Sequence, residues 1–162
     1  MKKILVTGGC GYVGSKLVTQ LLLDGYFVDV VDNQWFGNYL KNHQNLKVYK
    51  TDIRNISHID FSGVDTVIHL ANIANDPGVE LNQSLSWEVN VLSSQLIIEK
   101  AIEYSVKNFI YASSGSVYGI KEELDVTEEL SLVPISTYNK TKMVAERVLM
   151  SYSHNINVHC IR

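Results

Sequence analysis

The glycines at positions 8, 11 and 14 constrain this chain more than any other feature. They fall as G-x-x-G-x-x-G in Gly8-Gly9-Cys10-Gly11-Tyr12-Val13-Gly14, directly after Lys2-Lys3-Ile4-Leu5-Val6-Thr7, a run fit for a buried strand. A helical pattern follows from Ser15. Glycine has no Cβ, so a ligand's pyrophosphate can come close to the N–H groups at the helix start. The positive end of the helix dipole then favours the anion. Strand, glycine turn and helix in that order point to dinucleotide binding, whereas a glycine triplet elsewhere would be a plain tight turn.

The rest of the chain repeats the alternation. Ile4–Thr7, Tyr26–Asp32, Leu46–Lys50, Thr66–Leu70, Lys107–Ala112 and Ile156–Ile161 read as strands. Val13–Leu23 has apolar residues at helical spacing and ends at Gly25, as a C-terminal glycine does. Arg54–Asp60 reads as a weak short helix, Ser84–Tyr104 as a long one, and Ser136–Ser153 as another. Asn33–Asn45, Ala71–Leu81 and Ser113–Ile135 read as loops. Such alternation implies a parallel sheet covered on both faces. Right-handed crossovers make it a doubly wound α/β fold of the Rossmann type, with expected strand order 3-2-1-4-5-6.

Composition narrows the class. The 162 residues are one domain's worth, and 46% hydrophobic with 19% charged residues supports a packed core. A net charge of −3 gives no basic footprint for nucleic acid. No apolar run reaches the ~18 residues of a membrane span, and the run after the two N-terminal lysines is too short for a signal peptide. Cys10 and Cys160 lack metal-type spacing and read as buried free thiols of a cytoplasmic protein. No metal site is expected.

Ligands of doubly wound sheets bind at the carboxyl ends of the strands, where strand order reverses. Asp32 ends the second strand and can accept hydrogen bonds from an adenosine ribose. The same charge would repel a 2′-phosphate, and no Lys or Arg follows before Lys41, so NAD is favoured over NADP. Asp32 could equally form a turn with Asn33; the two roles are compatible. Trp35, Phe36 and Tyr39 could cover an adenine or simply close the loop. Cys10 could be a reactive thiolate at a helix N-terminus or just a small residue in a tight turn.

The second signal is Tyr138-Asn139-Lys140-Thr141-Lys142. Tyr138 and Lys142 share a helix face at a spacing of four. An ammonium ~4 Å from a phenol would favour phenolate by roughly 4 kcal/mol at an effective dielectric of ~20. That would bring the tyrosine from ~10 to near neutrality, where it can act as an acid or base. Alone, Tyr-x-x-x-Lys is usually an exposed helix pair. Following a glycine turn and a strand-end serine cluster, it reads as catalytic.

The sequence resembles the extended short-chain dehydrogenase/reductases, the NAD-dependent sugar epimerase/dehydratase family. The resemblance runs the length of the chain. It rests on the glycine turn from Thr7, Val31-Asp32-Asn33, Asp52-Ile53-Arg54, His69-Leu70-Ala71, Val89-Asn90-Val91, Tyr111-Ala112-Ser113-Ser114-Gly115-Ser116-Val117-Tyr118-Gly119 and Tyr138-Asn139-Lys140-Thr141-Lys142. It implies that Gly8, Gly11, Tyr12, Val13 and Gly14 face the pyrophosphate of NAD. Asp32 and Asn33 would meet the adenosine ribose, and Asp52 and Ile53 would flank the adenine. Leu70, Ala71, Asn90 and Ser113 would line the cofactor. Ser114, Tyr138 and Lys142 would be catalytic, with Tyr138 as acid/base and Lys142 also on the nicotinamide ribose. His69 would be a packed residue rather than a base.

The reaction implied is transient oxidation of a sugar hydroxyl, with hydride passing to NAD and returning to the other face. Dehydratases of the family carry Asp-Glu after the catalytic Thr; here Gly115 and Ser116 stand there, and neither is a general acid. The pattern is nearest to UDP-glucose 4-epimerases. A lysine that some of these place after the fourth strand is missing from Ala71-Asn72-Ile73-Ala74-Asn75-Asp76-Pro77. Members run to roughly twice this length, with a C-terminal lobe for the nucleotide sugar, so the chain is expected to be the cofactor part of a longer, homodimeric enzyme. A nucleotide-sugar reductase, a dehydratase and a non-catalytic NAD sensor are the alternatives.

Overall fold

The computed structural model describes residues 2–162. Six parallel strands form one sheet: β1 Lys3–Thr7, β2 Phe27–Asp32, β3 Leu46–Lys50, β4 Val64–His69, β5 Asn108–Ala112 and β6 Asn157–Ile161. Their order is β3-β2-β1-β4-β5-β6, as the sequence pattern predicts. Successive side chains of a strand point to opposite faces, and the core divides accordingly. Ile4, Val6, Val28 and Val30 pack against Val18 of helix α1, Tyr12–Leu23. Leu5, Val67, Phe109 and Tyr111 pack against the helices that precede β5 and β6. Burial on both faces is why these strands read as near-continuous apolar runs.

The α1 helix ends in a Schellman motif. The Gly25 N–H donates to Leu22 O at 3.1 Å and the Tyr26 N–H to Leu21 O at 3.0 Å, with Gly25 at φ +85°. Residues 33–45 form a loop, and the weak helix after β3 is a 3-10 turn, Ile53–His58.

The stretch 71–81 is not all loop. Asp76–Leu81 forms a short helix, α2, whose first turn holds Pro77 and whose cap is the Asn75 side chain, accepting from Gly78 N at 3.0 Å. Proline lacks an N–H that the first turn would not use, so Asp-Pro-Gly after a capping asparagine starts a helix. The long helix is also interrupted. Gln83–Trp87 is α3, capped by Asn82; Glu88–Leu92 is a π-turn; Ser93–Glu103 is α4. α5 runs Thr137–Met150, with the Ser136 hydroxyl accepting from Asn139 N at 3.2 Å. Among the described residues no helix is long and apolar enough to cross a membrane.

Candidate functional site

Strand order reverses between β1 and β4, and the chain ends of these two strands are stitched together there. Leu70 N donates to Thr7 O at 3.1 Å, and Ala71 N to Thr7 Oγ1 at 3.3 Å. The glycine turn lies against this seam. Gly8 has φ +72°, and a Cβ on it would sit 2.6 Å from Ala71 N. A Cβ on Gly14 would sit 2.2 Å from Gly8 O. Both positions therefore require glycine, the first for conformation and contact, the second for contact alone.

Asp32 closes the turn from the side. Its carboxylate accepts from Cys10 N at 3.0 Å and from Gln34 N at 2.7 Å. The Cys10 thiol is buried, and desolvation with Asp32 pushes its pKa up to about 11 against the opposing Gln34 side chain. Cys10 is thus a small buried residue of the turn rather than a thiolate. Cys160 is also free but only half-buried, so the expectation of two buried thiols holds for Cys10 alone.

A cavity of about 660 Å³ opens over the turn, within the range of about 300–1,000 Å³ usual for ligand sites. Gly8, Gly11, Tyr12, Val13, Gly14, Asp32, Asn33, Asp52, Ile53, Leu70 and Ala71 all line it, as does the aromatic loop at Trp35, Phe36 and Tyr39. No lysine or arginine does. A glycine-rich cradle, an acid at the end of β2 and no cation for a 2′-phosphate fit an unphosphorylated dinucleotide. Asp52 is itself engaged: its carboxylate takes bonds of 3.0 and 2.9 Å from Arg54, which also reaches Glu88 at 2.9 Å. Arg54 holds the Asp52 carboxyl below the usual range despite burial.

Asn90, Ser113, Tyr138 and Lys142 do not line this cavity. Asn90 is buried in the π-turn, where its Oδ1 accepts from Ile73 N at 2.7 Å. Its Nδ2 donates to Ile73 O and to Thr141 Oγ1, both at 3.1 Å. It thereby ties the cavity wall to α5, one residue before Lys142. The extra residue of a π-turn aims this side chain at the strand end, a recurring use of such turns.

His69 extends the same buried network. Thr7 Oγ1 accepts from Ala71 N and lies 2.6 Å from His69 Nδ1. Ser94 spends its hydrogen on Asn90 O at 2.8 Å and so accepts from His69 Nε2–H at 2.9 Å. One tautomer satisfies every group. Burial pushes the imidazole pKa down to about 3, with the Lys142 charge adding to it. His69 is a neutral packed residue, as the sequence implied.

Ser114, at the carboxyl end of β5, caps a 3-10 turn, Gly115–Tyr118. Its hydroxyl lies 2.7 Å from Ser116 Oγ, which donates to Asn139 Oδ1 at 2.6 Å. That chain of hydroxyls joins the serine loop to the first turn of α5 beside Tyr138. Ser113 points elsewhere, donating to Glu146 Oε2 at 2.8 Å. Glu146 is buried and pairs with Arg162, whose Nη1 also donates to Tyr118 Oη at 2.8 Å. Desolvation pushes the Glu146 carboxyl up, but Arg162, Ser113 and Arg147 together hold it below its usual value.

The expected direct lowering of the Tyr138 pKa by Lys142 is not what the geometry gives. Burial raises the phenol pKa, the Ser114 hydroxyl beside it lowers it, and Asp76 raises it; Lys142 is not among the groups acting on it. The Lys142 ammonium lies instead 4.5 Å from the centre of the Tyr111 ring. Desolvation takes its own pKa down to about 8, with Cys160 opposing. A buried lysine turns to the nearest negative potential, here a ring face. Sequence spacing placed both residues on one helix face but carried no signal for Tyr111, Glu146 or Arg162.

The family model described as "NAD dependent epimerase/dehydratase family" matches residues 4–162. A putative UDP-glucose 4-epimerase from Methanocaldococcus jannaschii is 36% identical over 156 residues, 93% of this chain and 50% of that protein. Putative UDP-arabinose 4-epimerase 2 from Arabidopsis thaliana is 33% identical over 166 residues, 94% of this chain and 40% of that one. Among solved structures, UDP-N-acetylglucosamine 4-epimerase from Methanobrevibacter ruminantium superposes with a TM-score of 0.93 at 29% identity, over 99% of this chain and 54% of that chain. A dTDP-glucose 4,6-dehydratase from Streptomyces venezuelae, solved with NAD bound, gives 0.90 at 26%, over 98% and 54%. The chain thus spans about half the length of the relatives it matches. On the family match over residues 4–162 and relatives of this identity, the chain belongs to the NAD-dependent epimerase/dehydratase family.

Proposed function

We propose that residues 1–162 form the NAD-binding domain of a cytoplasmic nucleotide-sugar 4-epimerase. The observation that carries this is the cavity over the glycine turn, whose wall at Ile73 is tied through Asn90 to Thr141 of the helix holding Tyr138 and Lys142. Gly8, Gly11 and Gly14 would cradle the pyrophosphate, Asp32 and Asn33 would meet the adenosine ribose, and Asp52 and Ile53 would border the adenine. Leu70 and Ala71 would line the inner end, and Lys142 would hold the nicotinamide ribose. NAD held there would supply the hydride acceptor.

Tyr138 would take the proton from the sugar hydroxyl and give it back after the ketone turns over. Ser114 would hold the same oxygen. Taking that proton needs the phenolate, which burial disfavours and the Ser114 hydroxyl beside it favours. Gly115 and Ser116, in a turn without a carboxylate, offer no general acid for eliminating water, which favours epimerisation over dehydration. UDP-sugar epimerases among the relatives support a nucleotide-sugar substrate. Asn90 and Ser113 act at one remove, through Ile73 and Glu146. A homodimer through α4 and α5, which leave Leu96 and Met150 exposed, belongs to the same proposal.

The test is the mass and absorbance of what gentle denaturation releases. NAD or NADH recovered, or NAD taken up by empty protein, supports the assignment; neither overturns it. In the enzyme that contains this domain, Tyr138→Phe should abolish epimerisation while NAD is retained, whereas a sensor would be untouched.

A further inference from the structure

Lys142, Tyr111 and His69 form a buried stack that crosses from α5 through β5 to β4. Lys142 is 2% exposed and Tyr111 and His69 are each 1% exposed. The ammonium lies 4.5 Å from the Tyr111 ring centre. The Tyr111 and His69 rings are 5.7 Å apart between centroids and 28° from parallel. Among the described residues no carboxylate pairs with Lys142. A buried cation without an ion-pair partner is costly, and the electron-rich face of the Tyr111 ring is a compensation this site offers it.

Around this stack the other titratable groups are Tyr138 and Glu146 on α5 and Cys160 on β6. None supplies an ion pair to the lysine. On the far side of the ring, Thr7 and Ser94 occupy both His69 nitrogens, so the imidazole is neutral and puts no second positive charge behind Tyr111. The Tyr111 hydroxyl is buried and has no hydrogen-bond partner. What the residue contributes is therefore its ring.

We propose that Tyr111 is a positioning residue whose ring face seats the Lys142 ammonium between α5 and β5, with His69 held neutral to back that ring. The role of the seated lysine rests on the hydride-transfer function above; the seat itself does not.

The test reads the Lys142 13Cε shift against pH in the 162-residue chain without added cofactor. Tyr111→Phe keeps the ring and should leave the midpoint unchanged. Tyr111→Leu removes the ring and should lower the midpoint by about one pH unit. Phenylalanines carrying one, two and three fluorines at position 111 keep the shape while draining the ring face, and the midpoint should fall stepwise with fluorine number. That series decides the matter if Tyr111→Leu does not fold. A flat series, or a Leu variant with the parent midpoint, overturns the seat. Graded midpoints in a chain that takes up no NAD would instead leave the seat standing and remove the hydride-transfer function.

Discussion

The Cys10 amide donates to Asp32 Oδ2 at 3.0 Å, so the carboxylate that ends β2 also braces the glycine turn that follows β1. Its other oxygen accepts from Gln34 N at 2.7 Å and fixes the start of the aromatic loop. Asp32→Ala should lose both bonds and destabilise the fold by about 2 kcal/mol, since hydrogen bonds to a charged acceptor are worth about 1.5–3 kcal/mol. NAD affinity should fall at least tenfold. Urea unfolding and NAD titration of the same variant check the two halves of the expectation.

Gly14 and Gly115 are both glycines of the candidate site and should answer differently to alanine. A Cβ on Gly14 would meet Gly8 O at 2.2 Å, while one on Gly115 meets nothing within 4 Å. Gly14→Ala must push the turn open, at a cost of about 1–3 kcal/mol, and should abolish NAD binding. Gly115→Ala should change stability by less than about 0.5 kcal/mol. Equal losses from the two substitutions would contradict this account of the turn.

Glu146 is the buried link between the serine loop and Arg162. Glu146→Gln keeps an acceptor for Ser113 but removes the charge that pairs with Arg162, and should cost about 2 kcal/mol. The Glu146 carboxyl is held below its usual 4.5 in the folded chain. Its contribution is thus present above that value and lost as pH falls through the depressed one. Arg162→Met should lower stability at neutral pH and lessen the further loss that acid brings below that value, which chemical denaturation at pH 7 and pH 4 measures.

Lys142 should be a function residue that costs stability. Its pKa is about 8 in the fold against 10.5 ordinarily, because burial disfavours the ammonium. Between these values the unfolded chain binds more protons, so parent stability should rise with pH from about 8 to 10.5. Lys142→Met should raise stability at pH 7 by about 1–2 kcal/mol, and its advantage should shrink as pH climbs through that window. Chemical denaturation at pH 7 and pH 10 measures both.

The parts of this molecule that were legible in the sequence are those set by local spacing. The strand order followed from alternating elements and handedness, and the glycine turn, Asp32 and the Tyr138–Lys142 pair each stand within one short stretch. Asp76–Leu81 is legible in the same way, because Asn75 can cap a helix and Pro77 fits its first turn.

What lay outside the sequence depends on partners distant along the chain. Within the π-turn, Asn90 meets Ile73 and Thr141, 17 and 51 residues away. Ser113 turns from the cofactor side because Glu146 and Arg162 meet beneath it, and Lys142 turns from Tyr138 because Tyr111 of β5 lies under α5. Periodicity reports which face of an element a residue occupies. Which group waits on that face, and so which way a buried charge is drawn and how its pKa moves, is decided only when the sheet and helices have closed over it.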